Sequence, residues 1–384
     1  GDTYDEARDH ALALASERGM TMVHPYDDPA VIAGQGTIGK ELFEQCPEAD
    51  VVFVCVGGGG LLAGVAAYLK ALKPGIKVVA VEPDDSNCFA AAMAAGRRVT
   101  LPQAGLFADG VSVRQVGEEP FRVARHLVDD TVLVDADEIC AAIRDVFYDQ
   151  RAVPEPAGAL AVAGMKKWVL AHGVQGQTLV ATVSGANVNF DRLAHIAERA
   201  ELGDNAEALM AVTIPEKPGS FKRFLRELGR RGITEFNYRF SGAAAAHVFV
   251  GVRLSEGERE RSALLESLRG HGYPVVDMSA NEMAKVHVRY MVGGRAPDLA
   301  DERLFRFEFP ERPGACLDFL GAIGSRWNIS LFHYRNHGAA YGRVLCGLQV
   351  PRGEWRECRA SLDALGYRYW EETDNPAYAL FLGT

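Results

Sequence analysis

Four consecutive glycines, Gly57–Gly60, stand directly after an unbroken apolar run, Val51–Val56, and directly before a helical stretch, Leu61–Leu72. An apolar run with no polar alternation is a strand covered on both faces, and a strand covered on both faces belongs to a parallel sheet with helices on each side. Other segments repeat the alternation. Lys77–Val81 reads as a strand, Thr178–Thr182 as another, and the turn Ser184-Gly185-Ala186-Asn187 then leads to a helix starting near Phe190. From Thr21 to about Ala200 the chain therefore reads as an α/β unit with a mostly parallel sheet. At its start, Thr3 and Glu6 fit a capping box for a helix running to about Arg18, stopped by Gly19. A helix so well punctuated, with no initiator Met and no lead-in, reads like the middle of a domain.

Glycine in the turn lets the backbone approach an anion closely, and its N–H groups join the positive end of the following helix dipole. The loop is a phosphate cradle on this ground, and two cofactor classes fit it. Gly58-x-Gly60-x-x-Ala63, with Glu82 closing the next strand, matches a dinucleotide fingerprint and hence a nicotinamide-dependent oxidoreductase. That reading leaves the Ser184–Asn187 turn without a role. A pyridine-containing phosphate cofactor uses both turns, with its phosphate in the first and its ring nitrogen facing a hydroxyl at the second. Taken alone, Ser184 is more often a plain helix cap, so it counts only in combination with the glycine loop.

The second half contains a duplication. Pro215-Glu216-Lys217-Pro218-Gly219 recurs as Pro310-Glu311-Arg312-Pro313-Gly314, 95 residues later. Each copy follows a strand and precedes an amphipathic helix; each then reaches a Tyr-Arg pair, Tyr238-Arg239 or Tyr334-Arg335, and later a Gly-Tyr step, Gly272-Tyr273 or Gly366-Tyr367. Both copies read β-α-β-β-α-β, the ferredoxin-like arrangement. The polar stretch Glu198–Glu207 is the boundary, which gives units 1–203, 204–294 and 295–384. The equivalent Tyr238 and Tyr334 are effector-site residues or, as simply, core tyrosines.

A formal charge of −10, with acids and bases interleaved, gives no basic footprint for nucleic acid or an anionic membrane. No apolar run approaches the roughly 18–20 residues of a membrane helix. The seven cysteines never form a C-x-x-C pair, so they read as idle thiols of a reducing cytoplasm. His24 and Asp27-Asp28 could be drawn as metal ligands, but acids beside a Pro-Tyr turn are the usual helix caps.

Several longer matches carry a resemblance: Gly1–Ala7, His24-Pro25-Tyr26-Asp27-Asp28, Gly34-Gln35-Gly36-Thr37, Gly57–Leu61, Phe107-Ala108-Asp109-Gly110-Val111, Glu155-Pro156-Ala157-Gly158-Ala159, Ser184–Asn187, Thr234–Arg239 and Asn328–Arg335. With these the whole chain resembles the biosynthetic threonine dehydratases. The resemblance implies a fold-type II pyridoxal 5'-phosphate domain followed by two ACT-like regulatory domains, and conversion of L-threonine to 2-oxobutanoate and ammonia for isoleucine biosynthesis. It implies that Gly57, Gly58, Gly59, Gly60 and Leu61 hold the phosphate, that Ser184 faces the pyridine nitrogen, and that Glu155 lies toward the cofactor. It also implies isoleucine as inhibitor, valine as opposing activator, and a cytoplasmic homotetramer. Relatives with a divalent-cation site carry an acid where this sequence has Cys88, so no metal is expected.

One departure is large. The family's Schiff-base lysine lies in an S-x-x-K-x-R-G-like motif near the N-terminus, and that motif does not occur in this sequence. Lys40, Lys70, Lys73, Lys77, Lys166 and Lys167 lack the signature and read as surface charges. No catalytic residue is therefore assigned, a missing N-terminal part is expected, and the chain as it stands is expected to be inactive. Its alternative role is that of a non-catalytic fragment that binds branched-chain amino acids.

Overall fold

A computed structural model describes residues 4–240, 245–296, 299–310, 314–323, 326–335 and 341–382. They form two compact units, Gly1–Asp204 and Asn205–Thr384. The capping residue Thr3 and the second-copy residues Glu311, Arg312 and Pro313 lie outside the described residues.

The first unit has four parallel strands, β1 (Val51–Cys55), β2 (Lys77–Pro83), β3 (Asp130–Val134) and β4 (Leu179–Ala181), in the order β3-β2-β1-β4. Every residue of β1 is buried, as its unbroken apolar run requires. Helices α1 (Tyr4–Arg18), α2 (Pro29–Gln45), α3 (Gly60–Leu72), α4 (Cys88–Ala95), α5 (Glu118–Ala124), α6 (Ala136–Gln150), α7 (Pro156–His172) and α8 (Arg192–Gly203) surround the strands. Two apolar cores result, one around Val52, Leu62 and Phe89, the other around Phe53, Leu160 and Trp168. Helices α2 and α3 cross with their backbones nearly touching: a Cβ on Gly64 would fall 2.3 Å from the Ile32 carbonyl oxygen. Helix α1 ends at Arg18 before Gly19 at φ +64°, as its stop signal predicts. Helix α8 begins at Arg192, two residues later than the sequence suggests, because Phe190 and Asp191 form a turn first.

Strand order fixes where chemistry belongs. β1 runs to β2 and β2 to β3 on one side, while β4 lies on the other side of β1. The gap between the carboxyl ends of β1 and β4 is therefore the switch point of the sheet, where open α/β folds bind ligands.

The second unit realises the duplication. Strand β5 (Glu207–Pro215), helix α9 (Ser220–Leu228), strands β6 (Ile233–Arg239) and β7 (Ala245–Arg253), helix α10 (Gly257–Gly270) and strand β8 (Val275–Asp277) make the first β-α-β-β-α-β copy. A covering helix, α11 (Glu282–Val286), precedes the second copy: β9 (Glu302–Pro310), α12 (Ala315–Ile323), β10 (Asn328–Arg335), β11 (Tyr341–Gln349), α13 (Trp355–Ala364) and β12 (Arg368–Glu371). The copies are joined edge to edge. β6 pairs antiparallel with β10, with Tyr238 opposite Phe332 and Tyr334 opposite Phe236, giving one sheet of order β12-β9-β11-β10-β6-β7-β5-β8. Continuing across both copies, the helix-covered face buries a single apolar cluster that includes Phe224, Phe236, Phe307, Phe319 and Phe332.

Candidate active site and effector sites

The glycine loop leaves β1 at its carboxyl end and opens α3. Gly59 takes φ +90°, ψ −2°, a left-handed conformation that a side chain would strain, and this turns the chain sharply enough to start the helix. Among the described residues, no backbone or side-chain group accepts from the N–H of Gly57, Gly58, Gly59, Gly60 or Leu61. Five donors at the positive end of a 13-residue helix suit an anion such as phosphate.

Ser184 follows β4, the neighbour of β1, so its turn lies across the switch point from the glycine loop. Its N–H donates to the Gly158 carbonyl at 3.3 Å, and its Oγ lies 3.3 Å from Cys55 Sγ at the end of β1. Burial pushes the Cys55 thiol up, so it stays protonated and can donate to Ser184 Oγ. Glu155, at the start of α7, joins this turn: its N–H donates to the Gly185 carbonyl at 3.1 Å and its carboxylate lies against Gly185. Sequence reasoning had no signal for the Cys55–Ser184 contact, since the two residues are distant in the chain.

The acid required by the dinucleotide reading is otherwise engaged. Glu82 is fully buried, and its two carboxylate oxygens accept the N–H groups of Phe89 and Ala90 at 2.8 Å each, capping α4. Burial raises its pKa to about 7 even so. With both oxygens turned into the protein, Glu82 has none for a ribose hydroxyl, and the nicotinamide reading loses its second element.

Asp27 and Asp28 are caps, as expected. Asp28 accepts from the N–H groups of Ala30 and Val31 at the start of α2, and Asp27 from those of Glu118 and Glu119 at the start of α5. Among the described residues no group of three or more His, Cys, Asp or Glu could hold a metal ion. The cysteines are free thiols, all buried except the partly exposed Cys46.

Each lysine of the first unit is held away from the switch point. Lys40 pairs with Glu44, Lys70 with Asp129, Lys166 with Asp145 and Asp204, and Lys167 with Glu138. Lys73 donates to the carbonyls of Pro47 and Ala49, and Lys77 lies over the Trp168 ring. Lys40, Lys77 and Lys167 are exposed, as surface charges should be, whereas Lys70, Lys73 and Lys166 are partly buried, Lys70 with only 16 % of its side chain exposed.

In the second unit both tyrosines are buried among aromatic side chains of the helix-covered face. The Tyr238 hydroxyl donates to Glu216, the acid of the first Pro-Glu-x-Pro-Gly turn, tying strand to turn. Burial raises both partners' pKa values. The opposite face of the sheet is charged and also buried, which the sequence did not reveal. Arg289 meets Glu235 at 2.6 Å and Glu207 at 3.4 Å, while Arg239 pairs with Glu302, which also accepts from Ser330 and Tyr378.

Known proteins match this architecture. The family described as "Pyridoxal-phosphate dependent enzyme" matches residues 1–185, and "C-terminal regulatory domain of Threonine dehydratase" matches residues 198–288 and 293–382. L-threonine dehydratase biosynthetic IlvA of Burkholderia multivorans is 54 % identical over 383 residues, covering 100 % of this chain and 75 % of that protein. The Escherichia coli protein of the same name is 54 % identical over 382 residues, 100 % of this chain and 74 % of that one. The processed form of threonine deaminase isoform 2 from Solanum lycopersicum superposes with a TM-score of 0.51 at 42 % identity, over 53 % of this chain and 56 % of that one. Matched along its whole length by relatives of one activity, with a glycine loop of five unpaired N–H donors and a hydroxyl across the switch point, the chain belongs to the biosynthetic threonine dehydratases, pyridoxal-phosphate-dependent lyases with a C-terminal regulatory region.

Proposed function

We propose that the switch point of the first unit binds pyridoxal phosphate for the dehydration and deamination of L-threonine to 2-oxobutanoate and ammonia, with the residue roles that follow. The observation that carries this is the pairing of five undonated N–H groups, Gly57–Leu61, with the Ser184 hydroxyl at the end of the adjacent parallel strand. The N–H groups and the α3 dipole hold the phosphate. Ser184 donates to the ring nitrogen, and the neutral Cys55 thiol orients it by donating to its Oγ. Glu155 braces the Ser184 turn through Gly185. When bound, the cofactor supplies the electron sink for breaking the bond at the substrate's α carbon. A hydroxyl, unlike a carboxylate, does not hold the ring nitrogen protonated, so elimination of the β-hydroxyl is favoured over transamination.

Ser184→Asp tests these roles. In a protein that also carries the Schiff-base lysine, it is expected to lower kcat/KM for threonine about 100-fold, roughly 3 kcal/mol of transition-state stabilisation. Turnover equal to wild type would reduce Ser184 to a turn residue that only packs against Cys55 and Gly158.

The regulatory half of the reading is that unit Asn205–Thr384 binds isoleucine as inhibitor and valine as opposing activator, through subsites at Tyr238 and Tyr334, in a cytoplasmic homotetramer. Support comes from the equivalent placement of the two tyrosines and from the tie of Tyr238 to its Pro-Glu-x-Pro-Gly turn. A ligand that binds only the folded state raises its stability. The thermal midpoint of residues 205–384 is therefore expected to rise with isoleucine, and Tyr238→Ala or Tyr334→Ala to diminish the rise. Calorimetry with no heat and no shift on a folded fragment would remove the self-contained sensor.

A second reading, a branched-chain amino-acid-binding fragment without turnover of its own, is favoured by one observation. Every lysine of the first unit is engaged away from the cradle.

A further inference from the structure

Tyr26 has no part in the chemistry described above, yet its ring lies flat against the glycine loop. A Cβ on Gly58 would meet Cγ, Cδ1 and Cδ2 of Tyr26 at 2.2, 2.3 and 2.4 Å, and one on Gly60 would meet the Tyr26 backbone and Cβ at 3.0 Å. Both glycines are thus shaped to receive this one residue. The ring is half-buried and backed by Tyr4, with ring centroids 5.9 Å apart, and by His24 edge-on at 4.6 Å.

The turn that carries Tyr26 is held on three sides. His24 Nδ1 accepts from the Asp27 N–H at 2.9 Å, the Asp27 carboxylate accepts from the Glu118 and Glu119 N–H groups at 2.8 and 2.9 Å, and Asp28 caps α2. The segment that Asp27 caps is bonded to the glycine loop itself, since the Gly117 N–H donates to the Gly58 carbonyl at 3.0 Å. A closed circuit therefore runs from Gly58 through Gly117 and the start of α5 to Asp27, Tyr26 and back to Gly58.

We propose that Tyr26 is a positioning residue of the phosphate cradle: its ring is the rigid wall that keeps the Gly57–Leu61 N–H groups convergent and water off that side of the loop. The inference rests on reading the loop as the phosphate site. Preorganised donors bind an anion better than donors that must be ordered on binding. Because the contact is ring to backbone, the ring matters and the phenol hydroxyl does not.

The test compares pyridoxal phosphate with pyridoxal, its phosphate-free counterpart, by equilibrium dialysis on the full chain, for wild type and for Tyr26→Phe, Tyr26→Leu and Tyr26→Ala. Melting midpoints of all four proteins are measured alongside. Wild type and Tyr26→Phe are expected to prefer the phosphorylated compound to the same degree. Tyr26→Ala is expected to lose at least tenfold of that preference and Tyr26→Leu an intermediate amount, with pyridoxal binding unchanged. Leucine keeps apolar volume in the turn, so it reports on the wall even where alanine unfolds it. The proposal is overturned if the variants keep the wild-type preference, if Phe behaves like Ala, or if both compounds are weakened equally, as a purely structural role would do. Equal binding of the two compounds by wild type would instead remove the phosphate reading of the loop, and this inference with it.

Discussion

Supplied with pyridoxal phosphate and L-threonine, the chain on its own is expected to release no 2-oxobutanoate above the non-enzymatic background. The resemblance assigns covalent attachment of the cofactor to a lysine in an S-x-x-K-x-R-G-like motif absent from this sequence, and each lysine of the first unit already has a partner elsewhere. Lys166 lies between Asp145 and Asp204, Lys73 caps two carbonyls, and Lys70 is paired with Asp129. Moving any of them to the switch point would break those contacts. Borohydride reduction followed by mass spectrometry checks the point independently: no lysine of this chain should carry the reduced cofactor. Threonine turnover with a stoichiometric adduct on one of these lysines would contradict it.

Arg289→Leu is expected to destabilise the second unit by about 3–5 kcal/mol at pH 8, because it removes the cation shared by buried Glu207 and Glu235 and leaves Glu235 only the longer contact to Arg335 at 3.5 Å. Arg289 and Glu235 are 5 % and 2 % exposed, and Glu207 is as deeply buried. The pH dependence has a definite sign. Burial already raises the Glu235 pKa to about 7, against the pull of Arg289. Folded protein therefore binds more protons at Glu235 than unfolded protein between the ordinary carboxylate range and about pH 7. Its contribution to stability is fully present below the unfolded pKa and is lost as pH rises through the folded one. The defect of Arg289→Leu should accordingly be largest at pH 8 and shrink towards pH 5, and adding Glu235→Gln should restore part of the stability lost at pH 8. Urea unfolding at the two pH values measures it. A loss under 1 kcal/mol, or one independent of pH, would show that the pair is not held as described.

How much of this was legible in the sequence follows from which interactions are local. Burial of β1 could be read from Val51–Val56 because an unbroken apolar run has no other economical use. The duplication could be read because Pro-Gly turns, tyrosines and glycines recur at matching positions. Joining of the copies through β6 and β10 could not, since antiparallel register between distant segments leaves no local trace. Glu82 fitted a dinucleotide pattern by spacing alone; only the two bonds to Phe89 and Ala90 reveal it as the cap of α4. Burial of Glu207, Glu235 and Arg289 left no trace in the sequence, because charge signals exposure until pairing is seen. The Pro25-Tyr26 turn announced itself as a turn, but nothing in it pointed to the glycine loop.

One assay tests the cofactor reading most directly. This chain is joined in a single polypeptide to the segment of a relative that carries the family's Schiff-base lysine, and 2-oxobutanoate formation from L-threonine is followed with and without pyridoxal phosphate. The expected result is turnover that requires the cofactor, is absent from the unjoined chain, and is abolished by Gly58→Ala, whose added methyl group would collide with the Tyr26 ring in the phosphate cradle. Turnover that survives Gly58→Ala undiminished, or that needs a nicotinamide cofactor instead, would contradict it.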